Sequence, residues 1–119
     1  MRVEGHDSMN AVSRFIDRLQ DDGGLKGTDI ANFADVSSAT VHRWKAGSHA
    51  PRPEVQLLLA RLHYVVSRLD EYYTPEEVRI WLYSEHPQLD GQRAIDLIVN
   101  DRTAEVIAIL DRLDAEAYL

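Results

Sequence analysis

The sequence predicts an all-α protein in which an N-terminal helix-turn-helix bundle is joined by a long helix to a small helical domain. Apolar residues recur at helical spacing in every long segment, capping residues or prolines precede these segments, and none alternates as a strand does. We expect one compact unit divided into residues 1–53 and 54–119, because 119 residues with 45% hydrophobic content can bury one core.

The first helix is predicted to start with Ser8 as its N-cap and to end at residues 21–24, Asp-Asp-Gly-Gly. Residues 1–7 show no periodicity, and we assign them no function. The apolar stripe of this helix consists of Val12, Phe15, Ile16 and Leu19. It is expected to support the two helices that follow.

Residues 28–47 read as two short helices joined by a tight turn. Thr28 predicts the N-cap of the first helix, and Asp35-Val36 predicts the turn. Ser37 predicts the N-cap of the second helix, and Gly47 its end. We interpret the stretch as a helix-turn-helix, in which the opening turn of the second helix meets base edges in the major groove of DNA.

The outward face of the second helix suits contact with nucleic acid. Residues 37–52 contain three basic residues and two histidines but no carboxylate. Hydroxyl groups permit close approach to DNA, and arginine and lysine pair with phosphates or guanine edges. The predicted DNA-binding residues are Ser37, Ser38, Thr40, His42, Arg43, Lys45 and Arg52. The plain alternative is an ordinary helical hairpin with a solvated face.

The net charge of −7 would repel DNA over most of the surface. DNA binding would therefore be confined to one patch and strengthened by dimerisation. The chain has no cysteine, no secretion signal and no apolar run of the roughly 18 residues that span a bilayer. We expect a cytoplasmic protein without membrane contact.

A long helix is predicted from Glu54, since Pro53 can occupy a first helical turn. Its wide apolar stripe is expected to contact both halves of the chain: Val55, Leu58, Leu59, Leu62, Val65, Val66 and Leu69. Residues 74–77, Thr-Pro-Glu-Glu, combine a cap, a first-turn proline and a glutamate three residues after the cap, which predicts another helix start. Val78, Trp81 and Leu82 supply its buried face.

The remaining segments predict two more helices. His86-Pro87 ends the preceding helix, and Asp90-Gly91 forms a turn before a short helix around residues 95–99. Asn100-Asp101 breaks the chain, and a final helix begins at about Arg102. We expect no strand anywhere.

The second half of the chain is acidic, with twelve acidic and four basic residues from residue 70 to residue 119. Solubility alone can explain such a face. The cluster Trp81-Leu82-Tyr83 and the apolar end Ala117-Tyr118-Leu119 instead suit insertion into the pocket of a partner protein.

No catalytic, cofactor-binding or metal-binding residue is predicted. The histidines at positions 6, 42, 49, 63 and 86 are scattered, and the sequence has no HExxH motif and no glycine-rich phosphate loop. The acidic pairs Glu76-Glu77 and Asp21-Asp22 are explained as capping and turn residues. We therefore expect no enzyme activity.

The order of these motifs resembles that of the Xre/MbcA/ParS family of bacterial antitoxins. The likeness covers residues 25–119: the helix-turn-helix, the capped helix with Trp81-Leu82, the turn at residues 87–91 and the closing helix at residues 106–113. It implies a toxin-binding second domain and a RES-domain toxin that consumes NAD. It further implies that the C-terminal end blocks the toxin's active site, while the helix-turn-helix binds operator DNA and represses the operon.

Carried onto this chain, the resemblance and the aromatic cluster place toxin contact on Trp81, Asp114, Glu116, Tyr118 and Leu119. A pocket that binds dinucleotide phosphates through arginine would also accept carboxylates, including a terminal one. We expect a homodimer or a larger hetero-oligomer with the toxin. One departure is Ala94, since members of the family commonly have proline there.

Two other functions remain open on the sequence. The chain could be a stand-alone repressor whose C-terminal half only dimerises, in which case Tyr118 and Leu119 would be dispensable. Alternatively, the helix-turn-helix could be a relic that no longer binds DNA, because the overall acidity opposes tight binding by a monomer.

Overall fold

The computed structural model describes residues 10–117, which form seven α-helices, one very short β-hairpin and a 3-10 helix (Pro87–Leu89) within the hairpin's connection. The helices are α1 (Ala11–Asp21), α2 (Gly27–Ala34), α3 (Ser38–Ala46), α4 (Pro53–Leu69), α5 (Pro75–Tyr83), α6 (Ala94–Val99) and α7 (Thr103–Ala117). Within the described range, the all-α prediction is confirmed.

The expectation of no strand is wrong at one place. Strands β1 (Glu85–His86) and β2 (Gln92–Arg93) pair antiparallel. Between them, Asp90 and Gly91 both have positive φ, 56° and 78°, and these two left-handed residues turn the chain back on itself. Two paired residues on each side are too few to produce the alternating pattern that reveals a strand in a sequence.

The helix starts in the first half are only partly as predicted. Helix α1 is capped by Asn10, whose side chain accepts from the backbone N–H of Ser13 at 2.9 Å, whereas the predicted cap, Ser8, lies outside the described residues. Helix α2 begins at Gly27, so Thr28 lies within its first turn and is not the cap. The carboxylate of Asp29 instead accepts from the backbone N–H of Lys26 at 2.8 Å.

The helix pair α2 and α3 forms as predicted around a tight turn. Asp35 adopts the left-handed conformation at the end of α2, and the Ser37 hydroxyl accepts from the backbone N–H of Thr40 at 3.1 Å. Gly47, with φ of 80°, ends α3. The inward side chains are buried: Ile30, Phe33, Ala34, Val41 and Trp44.

Helix α4 is the central element of the fold, as its apolar stripe predicts. Five residues of that stripe are buried: Leu59, Leu62, Val65, Val66 and Leu69. The helix packs against α1 and α2 of the first half and against α6 and α7 of the second. Burial of such leucine and valine side chains stabilises a fold by roughly 1.5–3 kcal/mol each, so α4 anchors both halves.

A salt bridge joins α2 of the first half to α5 of the second. Both carboxylate oxygens of Asp29 accept from the guanidinium of Arg79 at 3.0 Å. This bonding is the largest cause of the lowered pKa of Asp29. The Asp29 carboxylate therefore both bonds the start of α2 and holds α5 beside it.

Helix α5 begins with the predicted reciprocal cap, in which Thr74 and Glu77 each bond the other's backbone N–H.

The C-terminal helices have short, defined starts. Ala94 is the first residue of α6, a position that also tolerates proline, so the departure from the family pattern leaves this helix start intact. Asp101, with φ of 62°, separates α6 from α7. Val106 and Leu110 bury α7 against the core.

The stability of the protein should fall as the pH drops below about 6.5, because His63 of α4 packs partly buried against Phe15 of α1, with ring centroids 4.8 Å apart. Burial, followed by the charge of Arg18, lowers the pKa of His63 from its usual 6.5, while Asp22 opposes the shift. Between the folded and unfolded pKa values, the unfolded chain binds more protons at this site, so acid favours unfolding.

Thermal unfolding between pH 7.5 and pH 5.5 measures this effect. The variant His63→Gln keeps a planar polar side chain that does not titrate, so its melting temperature should depend less on pH than that of the wild type. Equal pH dependence in the two proteins would contradict a role for His63.

Candidate functional site

The predicted DNA-binding residues lie together on one surface, which we call the α3 face: Ser37, Ser38, Thr40, His42, Arg43, Lys45 and Arg52. Thr40 is half-buried, and the other six are exposed. The face is built on a capped helix whose opposite side carries the buried Val41 and Trp44. The buried side of α3 therefore fixes the helix against the core and leaves the side chains of the α3 face exposed to solvent.

A chain of hydrogen bonds orders the start of α3. The hydroxyls of Ser37 and Thr40 lie 3.0 Å apart, and a guanidinium nitrogen of Arg43 donates to the Thr40 hydroxyl at 3.1 Å. These bonds draw the guanidinium back over the opening turn. The cation thus lies near the end of the helix that enters the major groove in helix-turn-helix proteins.

Lys45 lies in a less positive setting than the sequence suggested. Its ammonium donates to Gln20 of α1 and lies 3.9 Å from a carboxylate oxygen of Asp17. The stretch 37–52 carries no carboxylate of its own, but tertiary packing brings one to it from α1. A phosphate group would therefore compete with Asp17 for this lysine.

Two of the predicted toxin-binding residues, Trp81 and Glu116, meet at a groove between α5 and α7 of about 370 Å³. The residues that line this α5–α7 groove are Tyr73, Trp81, Gln88, Ile109, Arg112, Leu113 and Glu116. The indole of Trp81 packs on the ring of His86, with centroids 4.4 Å apart, and its backbone carbonyl lies 2.8 Å from Nε2 of the same histidine. These contacts hold Trp81 in place.

Asp114 is not part of this groove, although it is predicted to contact the toxin together with Glu116. Its carboxylate accepts from the guanidinium of Arg68 at 2.6 Å and from the hydroxyl of Tyr72 at 2.5 Å. Arg68 also pairs with Asp111 at 3.0 Å. We call Arg68, Tyr72, Asp111 and Asp114 the α7 clamp, since they bind α7 to the end of α4. Tyr118 and Leu119, the other predicted contact residues, lie outside the described residues.

The α7 clamp keeps its groups charged. The hydrogen bond from Tyr72, followed by that from Arg68, holds the pKa of Asp114 below its usual range. The pKa of Arg68 is raised above its ordinary value, first by Asp111 and then by Tyr64 and Asp114. The ionised Asp114 carboxylate is therefore already paired within the protein, with a guanidinium that it shares with Asp111.

The sequence-based site predictions did not include three of the four clamp residues or five of the seven groove residues: Arg68, Tyr72, Asp111, Tyr73, Gln88, Ile109, Arg112 and Leu113. Arg68 is 43 and 46 residues away from its two partners, and such a separation leaves no local pattern. The only available signal was the spacing of Asp111 and Asp114 on one side of α7.

Residues 10–117 contain no cluster of three or more histidine, aspartate or glutamate side chains that could hold a metal ion. Over the same range, none of the helices combines the length and apolar character needed to cross a membrane.

Comparisons with known proteins find relatives over nearly the whole chain. A protein described as the probable mycobacterial cidal antitoxin Rv3188 of Mycobacterium tuberculosis is 34% identical over 117 residues, covering 98% of this chain and 93% of that protein. The mycobacterial cidal antitoxin MbcA of Mycobacterium bovis is 28% identical over 104 residues, covering 87% of this chain and 88% of that protein. The search against protein-family models finds no match.

A solved structure shares the fold. A chain of the crystal structure of the M. tuberculosis MbcT-MbcA toxin-antitoxin complex superposes with a TM-score of 0.79 at 23% identity, covering 92% of this chain and 99% of that chain.

Proposed function

This chain belongs to the family of the mycobacterial cidal antitoxins, and from that premise we propose that it neutralises a cognate toxin by binding it as the antitoxin of a type II toxin-antitoxin system. The observation that carries the proposal is the 34% identity over 98% of the chain, which includes both the α3 face and α7. The α5–α7 groove and the end of α7 supply a surface for such a partner.

We further propose that the toxin is a RES-domain enzyme that consumes NAD. The family resemblance supports this partner, and the structurally similar chain comes from a complex of a toxin with its antitoxin. An enzyme that binds a dinucleotide needs cationic or N–H groups for the phosphates. A carboxylate placed in that site would compete with the phosphate for them.

In the proposed mechanism the C-terminal end blocks the toxin's active site, and we assign different roles to its acidic residues. Asp114 is paired with Arg68 and Tyr72, so its role is to orient α7. The Glu116 side chain is exposed and makes no hydrogen bond or ion pair with the side chains or loops of residues 10–117, so its carboxylate is available to a partner. We propose that Glu116, Tyr118 and Leu119 make the blocking contacts.

The second proposed activity is autoregulation through DNA. The α3 face would contact operator DNA with Arg43 near the opening turn and with Lys45 and Arg52 on its flanks. The protein's net charge of −7 opposes binding elsewhere, so a dimer or a toxin-bound oligomer would present two such faces.

Co-expression with the protein encoded by the neighbouring gene tests the antitoxin proposal. We expect the neighbour alone to stop growth and deplete cellular NAD, because it acts as the toxin. Expression of the intact chain should restore both, whereas a frameshifted copy of its gene should not. A harmless neighbour, or a folded chain that fails to restore growth, would overturn the proposal.

A further inference from the structure

We propose that a second copy of this chain docks on the outer side of α4, with the two α4 helices parallel to each other about a two-fold axis. The outer α4 face consists of Leu57, Ala60, Tyr64 and Ser67. Leu57 and Tyr64 are 52% and 44% exposed, and they are two of the five large hydrophobic side chains that residues 10–117 leave exposed. They lie seven positions apart, so they share one side of the helix. Apolar residues at this spacing form the seam between parallel packed helices.

Tyr64 is held in place before any partner binds. The guanidinium of Arg68 donates to its hydroxyl at 2.6 Å, and the guanidinium carbon lies 5.5 Å from the centroid of the tyrosine ring. A side chain that is already ordered loses less entropy when an interface forms. Tyrosine is also enriched among the residues that contribute most to binding at protein interfaces.

Different helices flank the outer α4 face on its two sides. At 100° per residue, Arg61 lies to one side of Tyr64 and His63 to the other. Arg61 pairs with Asp101, at the start of α7, at a distance of 2.9 Å. His63 packs against Phe15 of α1. We call these two sides the α7 flank and the α1 flank.

The α7 flank exposes a carboxylate. In its ion pair with Arg61, the Asp101 side chain is 81% exposed and the arginine only 36%. The second ion pair of this flank shows the same asymmetry, because Asp111 is more exposed than Arg68. The α7 flank therefore presents acidic groups to a partner.

The α1 flank exposes a guanidinium. In the ion pair of Arg18 with Asp22, the arginine side chain is 66% exposed and the aspartate 26%. Arg18 lies beside His63, whose pKa is lowered first by burial and then by the charge of this arginine. Arg18 and Asp101 are thus level with adjacent positions of α4, on opposite flanks.

These charges select the parallel arrangement. A two-fold axis parallel to α4 places the α1 flank of each copy over the α7 flank of the other, so Arg18 of one copy faces Asp101 of the other. An axis in the plane of contact but perpendicular to α4 would place each flank over its own equivalent, and like charges would oppose each other.

The parallel arrangement brings the first halves of both copies to the same end of the dimer. Two α3 faces would then be available to the two half-sites of one operator. This consequence rests on the proposed DNA binding, whereas the dimer itself does not.

Sedimentation equilibrium of the full chain tests the inference. The intact chain should form a reversible dimer. Leu57→Lys should raise its dissociation constant by about tenfold or more, because two leucine side chains leave the interface and two ammonium groups enter it. Ile80→Lys is the matched control, since Ile80 of α5 is 58% exposed and lies outside the outer α4 face. It should dimerise as the wild type does, and circular dichroism establishes that each variant is folded.

A double-mutant cycle of Arg18→Gln and Asp101→Asn tests the orientation. Asparagine tolerates the positive φ of position 101. Each single substitution should weaken the dimer by about twofold to fivefold, and the double variant should be no weaker than either single one. Within one chain the two residues lie on opposite flanks and have different partners, so this coupling arises between copies. Effects that simply add would overturn the parallel orientation.

The outcomes separate the dimer from the proposed functions. A monomer at every concentration, or equal dimerisation of Leu57→Lys and the wild type, overturns the inference and leaves the antitoxin proposal to the co-expression experiment. A folded, monomeric Leu57→Lys should still restore growth and should shift operator DNA more weakly than the wild type. A wild type that dimerises through this face but shifts no operator DNA supports the dimer and contradicts the DNA-binding proposal.

Discussion

Truncation after Ala115 is expected to abolish protection against the toxin. Cells that express the toxin with the truncated chain should grow no better than cells that express the toxin alone, and their NAD should be equally depleted. The physical reason is that the truncation removes Glu116, Tyr118 and Leu119, which we propose fill the toxin's active site. Growth and cellular NAD in co-expressing cells measure the effect.

The truncated chain should remain folded, which makes this loss interpretable. Its last residue follows Asp114, so the bonds of Asp114 to Arg68 and Tyr72 are retained, and the core residues Val106 and Leu110 are untouched. Circular dichroism and the melting temperature of the purified chain serve as the control. Full protection by the truncated chain would contradict the proposal that the tail blocks the toxin's active site. A neighbour that is harmless by itself would favour the stand-alone repressor.

Alanine at both Arg43 and Lys45 is expected to abolish the shift of operator DNA in a gel. Both cations lie on the α3 face, and loss of an arginine contact to a base edge costs roughly 1–3 kcal/mol. Loss of these two cations should also make binding less dependent on salt. The slope of the logarithm of the binding constant against the logarithm of the salt concentration should become shallower by up to about two. Of the two single variants, Arg43→Ala should weaken DNA binding more than Lys45→Ala, because Asp17 already pairs with Lys45.

A double variant of the same net charge provides the control. Arg102→Ala with Arg112→Ala removes two cations from the α7 region and should leave the shift unchanged if the α3 face is the binding surface. Asp17→Asn should strengthen the shift, since Lys45 would lose its internal competitor. No shift by the intact protein, alone or with toxin, would contradict DNA binding and favour the interpretation of this helix pair as a relic.

Features that depend on neighbouring residues are the ones that the sequence predicts correctly. The cap at Ser37, the reciprocal cap of Thr74 and Glu77, and the helix end at Gly47 are confirmed because each depends on residues within four positions. The resemblance to the Xre/MbcA/ParS antitoxins is confirmed for the MbcA antitoxins, while the Xre and ParS parts of that name stay predictions. The assignments of residues to DNA or toxin also stay predictions.

The missed features depend on distant partners. Thr28 was predicted as the N-cap, but Lys26 occupies that position, and Asp29 bonds the Lys26 backbone N–H and also Arg79, fifty residues later. Lys45 was predicted to be an unpaired cation, because residues 37–52 contain no carboxylate. In the structure, Asp17 of α1 forms an ion pair with it.

The sequence by itself determined the helices, most of their ends, the central position of α4 and the family. Apolar periodicity and helix capping depend on residues that are close in sequence, so they can be recognised without knowledge of the folded structure. Only the tertiary structure decided which of the charged residues remain available to a partner. It pairs Asp114 with Arg68 and places Glu116 on the lining of the α5–α7 groove. Ion pairs between elements form only after burial of the apolar stripes has brought those elements together, so no local pattern records them.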